Sequence, residues 1–326
     1  MPHRLVLVTG AGGFIGSHVV EGLVEAGDHV RAFVRYTSRG DRGWLDDLAP
    51  AVRDAVDVVA GDLRDPESVA GAAAGVDAVI HLGAQIAIPY SYLNPRDFVA
   101  TNVTGTLNVL QAARAADLER VVHVSTSEVY GTPDEVPITE AHPLRPQSPY
   151  AASKVAADML VHSFACSYGL RTAIVRPFNT FGPRQSQRAI VPTIVAQALA
   201  GEEVALGALD PRRDLTFVTD TAAGIVAVGL ADAAVGRTVQ LGTGGDVSVR
   251  ELAMLAGEIV GRQLSIVHDP ARIRPVESEI PQLLADNGLA RTLTGWSPRV
   301  PLREGLERTI EWIERNMPPR AAEYAR

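Results

Sequence analysis

The chain of 326 residues is 46% hydrophobic and 21% charged, a composition that excludes disorder and a length that exceeds one small core. Its net charge of −8 argues against a nucleic-acid surface, and Cys166, the only cysteine, excludes an intrachain disulfide or a cysteine-based metal site. The opening MPHRLVLVTG is too short in apolar residues for a signal peptide and no later run approaches a membrane span, so a cytoplasmic protein without membrane partners is expected.

In chain order, the first 180 residues alternate short β-branched runs with helical stretches. LVLV leads into FIGSHVVEGLVEAG, and HVRAFV, VDVVAG and DAVIHLG follow. The helix NVTGTLNVLQAARAA precedes RVVHVSTS, then a helix over 150–167, then RTAIVRP. This alternation predicts βαβ units and a doubly wound parallel (Rossmann) sheet buried on both faces. Gly27 and Gly169 stand where helix C-terminal caps belong. After Pro177 the texture changes. NTFGPRQSQRAIVP reads as loop, and LGALDPRRDLTF mixes turns with short strands. TVQLGTGG reads as one more strand before the helices VRELAMLAGEIVG and LREGLERTIEWIERN. The expected organisation is a dinucleotide-binding domain over 1–180 with a returning segment at about 215–245. Residues 181–214 and 246–326 form a smaller C-terminal α/β substrate lobe.

TGAGGFIGSH lies between the first strand and the first helix, with Gly10, Gly13 and Gly16 in a GxxGxxG pattern. Glycine there permits a tight turn, close approach to a pyrophosphate, and a helix N-terminus facing the phosphates. Phe14 and Ile15 belong to the same loop. Asp62 closes the third strand where an adenine would lie, with Leu63 beside it and Leu82 at the end of the fourth strand. The second strand runs into RYTSRGDR and lacks the acidic residue that binds a ribose 2′-hydroxyl. Arg35, Ser38 and Arg39 can instead hold a 2′-phosphate, which favours NADP over NAD as a tightly bound NAD(P)+; solvated loop residues are the plain alternative.

Tyr150 and Lys154 share a helix face, so Lys154 can lower the phenol pKa of Tyr150 and reach a cofactor ribose. A phenolate beside a nicotinamide is a base for an alcohol being oxidised. In STSEVYG, Glu128 stands inside an otherwise apolar stretch, either as a solvated loop carboxylate or as a base aimed into a site.

These landmarks, with AGDLRD, HLGAQ, YAASK, RPFNTFGPRQ, RRDLTFVTD and the late GW, resemble the extended short-chain dehydrogenase/reductases that act on nucleotide sugars. STSEVYGTP, SPYAASK, RPFNTFGPRQS and RIRPVESE most resemble NDP-N-acetylglucosamine 4,6-dehydratases of the legionaminic acid type. The resemblance implies catalytic roles for Thr126, Glu128, Tyr150 and Lys154. It implies a nucleotide-diphosphate sugar held by Gln85, Ser127, Asn179, Arg184, Arg213 and Arg274, with no metal. Pro89 and Ser91 are further candidates near the sugar, whereas Asn102 is expected to make structural hydrogen bonds. It also implies a homodimer built on the helices near 96–116 and 150–167. Many sugar 4,6-dehydratases carry Thr-Asp-Glu where this chain has Thr126-Ser127-Glu128, so the separate acid is missing and Glu128 is expected to handle both proton steps.

The implied reaction oxidises carbon 4, removes water across carbons 5 and 6, and returns hydride to carbon 6. A 4-epimerase needs no base for carbon 5; a dehydratase does. Epimerisation and, less well matched, UDP-glucuronate decarboxylation are the alternatives.

Overall fold

A computed structural model describes residues 4–316; the outermost ends of the two expected domains, 1–3 and 317–326, lie outside the described residues. Six strands come from the chain up to Pro177: β1 (Leu5–Thr9), β2 (His29–Arg35), β3 (Val56–Gly61), β4 (Ala78–His81), β5 (Arg120–Val124) and β6 (Thr172–Pro177). Eight follow: β7 (Asn179–Phe181), β8 (Glu203–Leu206), β9 (Arg212–Arg213), β10 (Leu215–Phe217), β11 (Thr238–Leu241), β12 (Val247–Ser248), β13 (Ser265–His268) and β14 (Gln282–Leu283).

The main sheet has seven parallel strands in the order β11-β6-β5-β4-β1-β2-β3. Successive side chains alternate between its faces, as the two-residue period requires. Val6, Val8, Ile80 and Val122 enter one apolar cluster, and Leu7, Val79 and Val121 the other. Both faces are covered, which explains the near-continuous apolar strands. The order in which strands are added reverses between β1 and β4, and the carboxyl ends there open a crevice suited to a ligand.

The Pro149–Tyr168 helix begins with the Ser148 hydroxyl accepting the Ala151 N–H and Pro149 at its first position. It ends at Gly169, whose φ of 69° closes the last turn in the left-handed region. The expected helix over the NVTGTLNVL segment starts with a π-helical stretch, Val99–Thr104, and becomes α-helical over Gly105–Ala115.

Beyond Pro177 the structure departs from the sequence expectation. NTF forms β7 beside β10, and a helix that starts at Ile190, inside the stretch expected as loop, runs on to Ala200. Pro192 is tolerated because the first-turn N–H groups of a helix lack internal partners in any case. A second unforeseen helix, Val218–Leu230, precedes β11, and the TVQLGTGG strand ends already at Leu241. In the smaller lobe, Ile190–Ala200, Val249–Val260 and Leu302–Asn316 bury Val191, Ile194, Leu252, Leu306 and Ile310 around Phe181 and Phe217. β9 lies between β12 and β14 and carries Arg213 into this region. No described helix is long and apolar enough to cross a membrane.

Candidate active site

At the crevice, close backbone contact demands two of the glycines. A Cβ on Gly16 would lie 2.1 Å from the Gly10 carbonyl oxygen, and one on Gly10 (φ 70°) would come within 2.8 Å of the Gly83 nitrogen. No side chain caps the Phe14–Glu25 helix at Gly13, which leaves its first N–H groups for an anion. Phe14 packs, partly buried, against the second-lobe core, and Ile15 against both that core and the core of the main sheet.

A cleft of about 210 Å³ continues from Gly10 past Phe33, Arg35, Asp62, Leu63 and Gln85. The Arg64 guanidinium donates to Asp62 at 2.5 and 2.9 Å; these bonds hold the Asp62 carboxyl below its usual range despite partial burial. Arg35 is exposed at the end of β2 and lines the same cleft, while Ser38 and Arg39 lie in the exposed turn that follows. Leu82 packs, partly buried, on the sheet core. A glycine cradle, an uncapped helix end and a carboxylate at the third strand together fit a dinucleotide.

The second end of the site starts where β5 stops. Thr126 is extended (φ −159°, ψ 154°) and caps the short turn Ser127–Tyr130, its Oγ1 accepting the Glu128 N–H at 3.2 Å. That turn sends Ser127 inward and leaves the Glu128 side chain only 12% exposed. The Thr126 hydroxyl also acts on the buried phenol of Tyr150, favouring its ionised form. Glu128 Oε1 lies 4.0 Å from Arg274 Nη1, and its charge is also felt by Arg213 and Tyr150. Arg213 is buried and donates to the Arg212 and Ile280 carbonyls at 2.9 and 2.8 Å and to Glu279 at 3.1 Å. Thr126, Glu128, Tyr150, Arg213 and Arg274 thus converge from distant stretches of chain.

Lys154 behaves differently from the sequence expectation. Its ammonium donates to the Val124 carbonyl at 2.9 Å and lies 3.3 Å from His123 Nε2. Burial, opposed by the charge of Asp158, lowers its pKa to about 8. Tyr150 does not have a lowered pKa: burial pushes the phenol well up, the charges of Glu128 and Asp158 add to this, and only the Thr126 hydroxyl opposes it. The physical reason is desolvation of the phenolate, which outweighs a cation engaged elsewhere.

Behind Lys154 lies a buried polar group that sequence inspection missed. Asp158 accepts from Arg176 Nη2 at 2.8 Å and faces His123 at 3.4 Å, and Arg176 donates to the Tyr130 hydroxyl at 2.9 Å. His123 is held neutral, its pKa lowered to about 4 by burial and by Lys154. Asp158 follows Lys154 by four residues on one helix face, a spacing that could have revealed it.

The remaining candidates divide. Gln85 donates its side-chain amide to Asp97 at 3.0 Å and sits in the cofactor cleft beside Gly83. Asn102 holds Gln85 through both backbone groups, at 2.7 and 2.9 Å, and donates to Ser153 at 2.9 Å, a structural role as expected. Ser91 donates to the Ile88 carbonyl, with Pro89 exposed in the same short helix. Arg184 does not join the Glu128 cluster: its guanidinium forks onto Glu21 of the first helix at 2.6 and 3.0 Å. Asn179 Oδ1, Ser125 Oγ and Arg274 Nη1 are buried and have no hydrogen-bond partner among the described residues, unusual for buried polar atoms and consistent with a site built for a ligand.

Comparison with known proteins agrees with this geometry. Residues 7–309 match the family described as GDP-mannose 4,6 dehydratase. The low-salt glycan biosynthesis protein Agl12 of Haloferax volcanii is 34% identical, over 94% of this chain and 97% of its own. The UDP-glucose 4-epimerase of Mycolicibacterium smegmatis is also 34% identical, over 94% and 97%. Among solved structures, the dTDP-glucose 4,6-dehydratase DesIV of Streptomyces venezuelae, with NAD bound, superposes with a TM-score of 0.85 at 33% identity, covering 96% of this chain and 97% of that one. Matches of this length, on a fold whose glycine cradle and Tyr150–Lys154 helix face one crevice, make the chain a member of the GDP-mannose 4,6-dehydratase family of extended short-chain dehydrogenase/reductases, an enzyme of the NAD-dependent nucleotide-sugar dehydratase and epimerase kind.

Proposed function

We propose that the enzyme is a nucleotide-sugar 4,6-dehydratase acting on an NDP-N-acetylhexosamine, such as UDP-N-acetylglucosamine, to give a 4-keto-6-deoxy sugar. The observation that carries this is Glu128, a nearly buried carboxylate close enough to Tyr150 to perturb its phenol and flanked by Arg274. Epimerisation at carbon 4 has no task for such a base.

Held at the Gly10–Gly16 cradle and the uncapped start of the Phe14–Glu25 helix, NAD(P)+ would supply a reversible hydride acceptor for carbon 4 and donor for carbon 6. Tyr150, facing Thr126, takes the proton of the carbon 4 hydroxyl as its phenolate, the form that burial disfavours and that the charge of Lys154, fixed by the Val124 carbonyl, and of a bound NAD(P)+ would favour. The resulting ketone acidifies carbon 5. Glu128 removes that proton and returns it to the hydroxyl that leaves carbon 6 as water, because Ser127 stands where a separate acid would be; when hydride reaches carbon 6, carbon 5 takes a proton from the Tyr150 phenol, which restores the phenolate. Arg213 and Arg274 supply cationic partners for the diphosphate, with Asn179 and Ser127 beside the sugar.

Incubation with a panel of nucleotide sugars gives a product lighter by one water; a product of unchanged mass refutes dehydration. Unchanged mass with inverted carbon 4 is the signature of the second reading, an epimerase, which the resemblance to UDP-glucose 4-epimerases favours. NADP is inferred over NAD because β2 ends in Arg35 with no acid at its tip. Tighter binding of NAD than NADP overturns that preference. A homodimer is inferred from exposed Val99 and Met159 on the two long helices, and light scattering at the mass of one chain overturns it.

A further inference from the structure

Arg274 stands on a stretch of chain that no sheet holds. Between the end of β13 at His268 and the start of β14 at Gln282 there are only two short turns, Pro270–Arg272 and Val276–Ser278. Ile273 and Val276, on either side of Arg274, are exposed, so apolar packing does not fix it either. A guanidinium that must meet a phosphate within hydrogen-bond range needs its backbone held from somewhere.

After Arg274 the chain is held by Arg213, which donates to Glu279 and the Ile280 carbonyl, and, nearer to Arg274, by Ser278, which is 7% exposed. Its Oγ donates to the Gln147 carbonyl at 2.8 Å and lies 2.5 Å from the Tyr92 phenol oxygen. A serine hydroxyl has one proton, so with that proton on Gln147 the phenol of Tyr92 is the donor of the second bond. The Gln147 amide in turn donates to the Glu277 carbonyl at 3.1 Å, and its oxygen accepts from Thr132 N at 2.9 Å and Thr132 Oγ1 at 3.1 Å. Tyr92 packs against the cluster of Ile88, Phe98 and Tyr150, and Gln147 immediately precedes Ser148, the cap of the Tyr150 helix. Three stretches distant in sequence therefore meet at one hydroxyl: the short helix of Tyr92, the start of the Tyr150 helix, and the segment that presents Arg274.

We propose that Tyr92, Ser278 and Gln147 form a polar latch that positions Arg274 beside Glu128 for the diphosphate of the substrate. They are positioning residues, acting through Arg274, and the latch rests on the nucleotide-sugar reading given above.

A double-mutant cycle tests it, with calorimetric affinities for UDP, dTDP and GDP as the readout, since these report diphosphate binding whatever reaction follows. Tyr92→Phe removes one donor and weakens the best-bound nucleotide about fivefold, the effect of one neutral hydrogen bond. In an Arg274→Ala background the same change costs less than about twofold, because the group being positioned is gone. Ser278→Ala repeats both results and guards against an accident of one substitution. Equal weakening in both backgrounds overturns the latch, as does a lowered melting temperature with unchanged affinity. A wild type that binds none of the three nucleotides overturns the nucleotide-sugar reading and the latch with it. Tight nucleotide binding without loss of water from any nucleotide sugar sinks only the dehydratase assignment, and the cycle still decides the latch.

Discussion

Replacing Glu128 by Gln separates the chemistry of this site from its architecture. The change keeps the side-chain shape and removes the carboxylate. The local fold is insulated from it, because Thr126 Oγ1 accepts from the Glu128 backbone N–H and not from the side chain. The substitution also removes the charge that faces Arg274 at 4.0 Å, and the Arg274 side chain is 28% exposed, so the stability change stays below about 1 kcal/mol. Dehydration, by contrast, is deprived of its general base, and turnover falls by about a hundredfold to ten-thousandfold. A second effect has a definite sign. The Glu128 charge helps to raise the Tyr150 phenol, so its removal lets that phenol ionise more easily. The residual activity of Glu128→Gln therefore rises with pH earlier than that of the wild type. Mass spectrometry of the product, run across a pH series beside urea unfolding, reads all three quantities. A Gln variant that dehydrates within about tenfold of the wild type refutes the assignment of the base.

Lys154→Met tests the buried ammonium through linkage: its folded pKa of about 8 lies below the unfolded 10.5, so the unfolded chain binds more protons between these values. Wild-type stability therefore rises relative to the Met variant from about pH 8 to pH 10.5, by about 3 kcal/mol, and a constant difference in urea midpoints contradicts it. Gly16→Ala drives a methyl group to 2.1 Å from the Gly10 carbonyl and is expected to cost about 1–3 kcal/mol and to weaken cofactor binding more than about tenfold, measured by unfolding and fluorescence titration. Burial works against the Glu21 charge, but hydrogen bonds from His18 and Arg184 outweigh it and lower its pKa to about 2. That stabilisation is complete above about pH 4.5 and disappears as pH falls toward 2, so the stability gap between wild type and Glu21→Gln closes over this window. A gap independent of pH shows that Arg184 has another role.

Much of the fold was legible because its signals are local. Glycine spacing, β-branched runs and the Ser148–Pro149 start each act within a few residues, and they specified the parallel sheet and the helix of Tyr150 and Lys154. The Ile190–Ala200 helix was obscured by Pro192 and by the preceding polar stretch, and Val218–Leu230 by its short β-branched start. Within the candidate site, the sequence alone determined that Thr126, Glu128, Tyr150 and Lys154 occur in an order suited to sugar oxidation. It could not determine where their charges settle. Only the tertiary structure decided that Lys154 docks on Val124 and His123, that Arg184 turns away to Glu21, and that Tyr92 meets Ser278 from 186 positions away. Those outcomes depend on burial and on competition among partners far apart in the chain, and neither quantity is written in residue spacing.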